Sequence, residues 1–257
     1  MNVRASLRFV CVALSCAALL VGCGGGPRLR LVCVVDLSSS IEPDARAEAF
    51  AALRQVFAER RLRRGDAVVV VPVTNDSATE AQGHVLRFEI GERRAAYDAD
   101  LRNLAAEVER ATGAMQSESA SRPSTRSDII GAINLAEEEM AKGHEGERKV
   151  LVVLSDMIND TPLCNFNTSP QLSSDDAARR YAASLAEGRG RALEGARVYM
   201  GLLRSGDLKR VPQARRGAIQ SFWDEYLRRA GAASVSTTTD GPSQLAEAVR
   251  QSRQSLP

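Results

Sequence analysis

Runs of apolar residues recur along the chain, separated by longer stretches in which apolar positions follow a helical spacing. Three runs are almost unrelieved by polar side chains, which is typical of strands covered on both faces. They are residues 31–35, 67–74 and 149–154. Two shorter runs, at 196–203 and 233–237, predict further strands in the same sheet.

The amphipathic stretches predict six helices. They are 42–63, 95–115, 128–142, 175–193 with an early end near Gly188, 215–230 and 242–255. Residues 84–90 alternate more and are predicted to form a short antiparallel strand at the sheet edge. The alternation of strands and helices predicts one α/β domain over residues 29–257, with a doubly wound, mainly parallel sheet and helices on both faces.

A cluster of hard oxygen ligands follows the first strand. Residues 31–40 read LVCVVDLSSS, so the strand delivers Asp36, Ser38 and Ser40 into a loop. One carboxylate and two hydroxyls suit Mg²⁺, Ca²⁺ or Mn²⁺ rather than zinc or copper. The alternative is a Ser-rich turn in which Asp36 or Ser40 only caps the next helix.

Two further segments carry matching chemistry. Ligands of a doubly wound sheet bind at the carboxyl ends of its strands, in the loops that follow them. Asp156 follows the run 149–154, and Thr125 and Ser127 enter the helix predicted at 128–142. These side chains are therefore expected to meet the Asp36 loop at one rim of the sheet.

These segments together resemble a von Willebrand factor type A (vWA) domain, with its Rossmann-like sheet, over about residues 29–254. VVDLSSS at 34–40 matches the Asp-x-Ser-x-Ser motif of the family's metal-ion-dependent adhesion site. LVVLSDMIND at 151–160 resembles the strand that ends in its aspartate, and SDIIGAINLA at 127–136 is similar to the opening of its threonine-bearing helix. The resemblance covers nearly all of the chain after residue 28.

The resemblance implies a site and its function. Ser38, Ser40 and Ser127 would bind the cation directly, and Asp36 and Asp156 would hold it largely through water. Neutral direct ligands leave the ion electrophilic and keep a position open for a partner's Glu or Asp carboxylate. The implied activity is metal-dependent protein binding, with Mg²⁺ as the expected ion and Mn²⁺ or Ca²⁺ as alternatives.

The chain departs from the family pattern at two positions. Ser127 stands where the family has threonine, and Thr125 competes with it two residues earlier. Met157 replaces the usual glycine after Asp156. Two long polar connections, 116–126 and 157–174, are expected to flank the metal and to determine which partner binds. Their composition predicts that they are unordered.

The N-terminus has the order of an export signal. Arg4 and Arg8 precede an apolar stretch at 9–21, which is shorter than the ~20 residues that cross a bilayer. LVGC at 20–23 resembles the lipobox of bacterial lipoproteins, which implies cleavage after residue 22 and acylation of Cys23. Residues 23–28 then form the acylated end and a flexible leash. The resemblance implies the bacterial cell envelope, and Gly24 after the cysteine favours the outer membrane.

The net charge and the cysteine content exclude some classes of function. The chain has 34 Lys and Arg against 32 Asp and Glu, and residues 1–22 carry two of the arginines and no acid. Without them the chain is neutral, which argues against recruitment of nucleic acid and leaves a lipid as the membrane anchor. Of five cysteines, only Cys33 and Cys164 lie beyond the signal and its end, and their placement predicts no disulfide.

An enzyme is the less favoured interpretation. A metal with an open position could activate water, so a metal-dependent hydrolase stays an alternative, as does a metal-free scaffold that keeps only the fold. The chain has two histidines, His84 on the predicted edge strand and His144 in a loop at the opposite end of the sheet from the metal cluster. It also lacks the phosphate-cradling and nucleophile-elbow motifs. Catalytic residues are therefore not predicted.

Overall fold

The fold is a six-stranded sheet with helices on both of its faces, in a computed structural model that describes residues 27–58, 62–91, 94–121, 124–239 and 241–253. The strand order is β3-β2-β1-β4-β5-β6. All neighbouring strands run parallel except β3, which pairs antiparallel with β2. The predicted fold class, including the antiparallel edge strand, is confirmed.

The strands lie close to their predicted positions. They are β1 (Leu29–Asp36), β2 (Ala67–Val73), β3 (Leu86–Glu89), β4 (Arg148–Ser155), β5 (Arg197–Leu202) and β6 (Ser234–Thr238). The chain crosses from β3 over β1 to β4, so the winding direction reverses between β1 and β4. Ligands of such sheets bind at the carboxyl end of the strands at this reversal.

The helices in chain order are α1 (Pro43–Ala58), α2 (Ser77–Glu80), α3 (Arg94–Ser121), α4 (Ile129–Ala141), α5 (Asp175–Ala186), α6 (Gly206–Arg210), α7 (Gln213–Arg229) and α8 (Gly241–Arg253). Two short 3₁₀ turns, Ala81–His84 and Pro170–Leu172, complete the regular structure of the described residues. The short helices α2 and α6 were not predicted, because one turn of helix has no periodicity that a sequence pattern can reveal.

Alternation along β1 builds two cores. Val32 and Val34 face the cluster that contains α4, α5 and α7, whereas Leu31, Cys33 and Val35 face the cluster that contains α1, α3 and α8. Side chains of a strand point alternately to opposite faces, so a strand that is apolar at every position must be covered on both. All eight residues of β1 are buried.

The register brings the ends of β1 and β4 together. Val35 of β1 lies opposite Leu154 of β4, so Asp36 comes level with Ser155 at the same rim. Pro72 of β2 lies opposite Val35 of β1, beyond the end of β3, which pairs only with residues 67–70 of β2. The outer edge of β2 is therefore unpaired at Pro72, which tolerates its missing N–H group.

Both long connections differ from their prediction. Helix α3 continues to Ser121, so residues 116–121 are helical rather than unordered. The connection 157–174 is held by buried side chains and main-chain hydrogen bonds. Composition misleads here because a polar segment can still order itself when its amide and carbonyl groups find partners in the fold.

Other sequence predictions have simple outcomes. Cys33 and Cys164 are both buried free thiols. Trp223 is fully buried and packs against Phe166 and Phe222. No helix in the described part of the chain is long and apolar enough to cross a membrane. The predicted signal and Cys23 lie outside the described residues.

Asp128 caps the N-terminus of α4 and lies in close contact with Gly131, which allows a test of this cap. The Asp128 carboxylate accepts hydrogen bonds from the N–H groups of Gly131 (2.9 Å) and Ser77 (3.0 Å). A Cβ on Gly131 would lie 1.9 Å from Asp128 Oδ2. We expect Asp128→Ala to lower the free energy of unfolding by about 1–2 kcal/mol and Gly131→Ala to be destabilising as well.

The two changes should not be additive. Once Asp128→Ala has removed the obstructing carboxylate, Gly131→Ala should cost little, because alanine is otherwise favoured over glycine in a helix by about 0.5–1 kcal/mol. Urea denaturation of both single variants and the double variant measures the coupling. Equal costs of Gly131→Ala in both backgrounds would contradict this account of the cap.

Candidate metal centre

The Asp36 loop is folded by its own side chains. Asp36 Oδ1 accepts the N–H of Ser38 at 2.9 Å, which turns the chain directly after β1. The hydroxyls of Ser38 and Ser40 lie 3.0 Å apart, so they point to the same place. Asp36 and Ser38 are buried, and Ser40 is half-buried at the surface of the rim. The three predicted oxygen donors of this loop are thus together.

The Asp156 loop repeats the same arrangement after β4. Asp156 Oδ1 accepts the N–H of Ile158 at 2.9 Å, two residues further on, as Asp36 does with Ser38. The second oxygens differ. Asp36 Oδ2 accepts the Ser155 hydroxyl at 2.6 Å, whereas Asp156 Oδ2 is buried and finds no hydrogen-bond partner among the described residues.

The two carboxylates affect each other. Burial raises the pKa of Asp36, although hydrogen bonds from Ser155 and Ser38 and the charge of Arg46 oppose the rise. Burial and then the negative charge of Asp36 raise the pKa of Asp156 to about 7. Two anions in a buried site are unfavourable unless a proton or a cation joins them.

Ser127 and Thr125 lie in a segment that connects both loops. The Ser39 N–H donates to the Ser124 carbonyl at 3.0 Å, which joins the segment to the Asp36 loop. Ser127 pairs with Asp160 through two main-chain hydrogen bonds, which joins it to the residues after Asp156. Ser127 is buried, whereas the side chain of Thr125 is exposed.

We refer to Asp36, Ser38, Ser40, Ser127 and Asp156 as the rim cluster. All five stand on segments that meet at the carboxyl ends of β1 and β4. Within the described residues, no group of three or more His, Cys, Asp or Glu side chains could hold a metal ion. A metal at the rim cluster would therefore depend on hydroxyl ligands beside its two carboxylates, the mixture that suits Mg²⁺ or Mn²⁺.

Sequence reasoning missed Ser205. This buried residue caps α6 by accepting the Leu208 N–H at 2.8 Å, and its segment pairs with the Asp36 loop through Ile41. Its hydroxyl lies near enough to lower the pKa of Asp156, yet it does not reach Asp156 Oδ2 within hydrogen-bond distance and angle. The Ser-Gly-Asp sequence at 205–207 is a capping signal, and only the fold brings it to the rim.

Met157, directly after Asp156, has an unusual backbone conformation. Its φ is 63°, in the left-handed region that favours glycine. The side chain is buried, and the Trp223 indole N–H donates to the Met157 carbonyl at 2.9 Å. Methionine therefore adopts the backbone that glycine would adopt more easily, at a cost of about 1–2 kcal/mol that packing and this hydrogen bond offset.

The rest of the 157–174 connection is tied to two helices. Asn159 is fully buried; its Oδ1 accepts the Ile130 N–H at 2.9 Å and its Nδ2 donates to the Cys164 carbonyl at 2.7 Å. Arg215 of α7 donates to three carbonyl oxygens within 166–169 at 3.0 to 3.1 Å. These hydrogen bonds hold the connection after Asp156 in place. The sequence context did not single out Asn159 or Arg215.

No protein-family model matches the chain, and no curated protein matches it. Solved structures do share the fold. The pilus adhesin SpaC of Lactobacillus rhamnosus GG, in its open conformation, gives a TM-score of 0.51 with 10% identity over 89% of this chain. This chain spans only 30% of the adhesin.

Two other solved structures are similar at lower scores. The manganese-loaded TRAP protein of Plasmodium vivax has a TM-score of 0.44 and 11% identity, over 85% of this chain and 71% of that protein. A von Willebrand factor type A protein of Catenulispora acidiphila has a TM-score of 0.43 and 15% identity, over 88% of this chain and 42% of that one. At such identities the likeness concerns the fold alone.

The raised pKa of Asp156 predicts an unusual pH dependence of stability without metal. The folded state keeps a proton that an ordinary aspartate, with a pKa near 3.8, has lost in the unfolded chain. In EDTA the free energy of unfolding should therefore fall as the pH rises from about 4 to about 7, by up to about 1.4 kcal/mol per pH unit. Asp156→Asn should remove this component and be more stable than the unchanged protein at pH 7.

Chemical denaturation at several pH values, with both proteins in EDTA, measures the difference between the two curves. Subtraction cancels the contributions of the other titrating groups. Parallel curves for the two proteins would contradict the buried, proton-holding state of Asp156.

Proposed function

We propose that the protein binds a divalent cation, Mg²⁺ or a similar ion such as Mn²⁺ or Ca²⁺, at the rim cluster and thereby binds an acidic group of a protein partner. One observation carries this proposal: Asp36 and Asp156 are buried together, and Asp156 Oδ2 has no hydrogen-bond partner among the described residues. A cation would compensate both charges and satisfy this oxygen.

The donor set suits the proposed chemistry. Ser38, Ser40 and Ser127 would ligate the ion directly as neutral oxygens, while Asp36 and Asp156 would act largely through bound water. Each aspartate uses Oδ1 to fix its own loop. Asp36 Oδ2 also accepts the Ser155 hydroxyl, so Asp156 Oδ2 is the carboxylate oxygen left for the hydrated cation. A cation with few anionic ligands stays electrophilic and would favour a partner's Glu or Asp carboxylate at its open position.

The resemblance and the fold support protein binding over catalysis. A SpaC structure that shares the fold is described as a pilus adhesin. His144 of this chain lies at the amino ends of the strands, beside Arg148 and far along the strands from the rim cluster.

We further propose that Cys23 is acylated and anchors the protein in the bacterial envelope, with the outer membrane favoured. Mass spectrometry of the N-terminal peptide from a bacterial host would reveal the lipid, and an unmodified Cys23 would refute the anchor.

Calorimetric titration of Mg²⁺ and Mn²⁺ into the purified protein tests the site. Saturable binding of one ion is expected, and Asp36→Asn and Asp156→Asn should each weaken it by at least about tenfold, because water-mediated partners of a metal typically contribute factors of about 10 to 100. Absence of saturable binding to the folded protein would leave only the metal-free scaffold. Turnover of phosphoesters that needs the metal would instead favour the hydrolase.

The same titration distinguishes Ser127 from Thr125 as the metal ligand. Ser127→Ala should weaken metal binding about tenfold, because it removes a buried hydroxyl between the two loops, and Ser127→Thr should restore binding. Thr125→Ala should leave the affinity within about twofold, since this side chain is exposed. The reverse pattern would assign the ligand to Thr125.

A further inference from the structure

A cavity of about 290 Å³ opens beside the rim cluster. It lies between the carboxyl ends of β4, β5 and β6 and the helices α6 and α7. Its lining includes Asp156, Met157, Met200, Leu208, Ile219 and Trp223. At the small end of the ~300–1,000 Å³ range of ligand pockets, it has room for one side chain rather than a large cofactor.

The walls and the mouth of the cavity differ in polarity. Met200, Ile219 and Trp223 form a buried apolar interior. Exposed glutamines, Gln213 and Gln220, stand at the mouth. Such a cavity would take an aliphatic group and leave the polar part of a ligand at the surface.

The cavity is continuous with the rim cluster through Asp156, which belongs to both. Thr237 also lines the cavity, and its hydroxyl oxygen is buried without a hydrogen-bond partner within the described residues. A ligand that reaches from the metal into the cavity would cover the apolar wall. The two sites are therefore placed for one ligand to occupy both.

We propose that this cavity binds an aliphatic side chain that neighbours the acidic residue of the protein partner. The inference rests on the proposed metal-dependent function and specifies its partner: an exposed segment in which Asp or Glu is followed or preceded by Leu, Ile or Met. Metal binding fixes the carboxylate, and burial of the aliphatic neighbour supplies selectivity among acidic segments.

The chain contains its own reporters of this cavity. Trp223 is the sole tryptophan and lines it, so its fluorescence reports occupancy. Met157 and Met200 line it too, whereas Met140 lies in the core outside its lining. Methionine-methyl NMR therefore distinguishes a ligand in the cavity from a general change in the core.

Two blocked pentapeptides serve as probes, Gly-Leu-Asp-Leu-Gly and Gly-Ser-Asp-Ser-Gly, each titrated into the protein with Mg²⁺ or EDTA. With Mg²⁺ the Leu peptide should bind at least about tenfold more tightly than the Ser peptide and shift the Met157 and Met200 methyl signals but not Met140. Equal affinities, with calorimetry still showing metal binding, would overturn the inference and leave the proposed function intact. Equal binding of the Leu peptide in EDTA would also overturn it, because the two sites would then act separately.

A substitution in the cavity completes the test. Leu208→Phe should fill part of the cavity, because Leu208 lines it and is half-buried, and should abolish the preference for the Leu peptide without changing metal affinity. Leu185→Phe, at an exposed position of α5, is the matched control and should keep the preference. If the Leu208→Phe protein shows a cooperative thermal unfolding transition and still prefers the Leu peptide, the assignment of the cavity as the aliphatic site is refuted. If the protein without substitutions binds no metal, the proposed function is refuted, and this inference with it.

Discussion

The burial of two carboxylates at the ends of adjacent parallel strands is the constraint on which the site depends. Asp36 and Asp156 leave water when β1 and β4 pair, and the negative charge of one raises the pKa of the other. The fold answers with hydrogen bonds from its own loops, but one oxygen of Asp156 stays without a partner among the described residues. Natural proteins seldom keep such a group without a functional reason.

The surrounding architecture holds this unfavourable pair in place. Both aspartates fold their own loops, and the 124–127 segment connects the loops through main-chain hydrogen bonds. Asn159 and Arg215 hold the connection after β4, and the capped start of α4 holds the segment before it. Support of this kind would preorganise the rim cluster, so that the proposed binding of a cation would require little rearrangement.

Rigidity also shapes what lies beside the rim. Met157, with its left-handed backbone and buried side chain, lines the cavity, and the Trp223 indole N–H donates to its carbonyl oxygen. Met157 therefore lies between the proposed metal centre and the apolar cavity. Metal affinity and partner selectivity would then reside on neighbouring residues of one loop.

The sequence by itself determined the sheet, its winding and the chain positions of Asp36, Ser38, Ser40 and Asp156, because continuous apolar strands and helical periodicity are local signals. It misjudged the connection 157–174, whose polar composition hides a set of buried hydrogen bonds. Only the tertiary structure decided that Ser205 lies beside Asp156 and that Ser127 is buried while Thr125 is exposed. It alone also decided that Asp156 and Thr237 line one cavity. These relations depend on register and helix packing between residues far apart in the chain, and no local pattern records them.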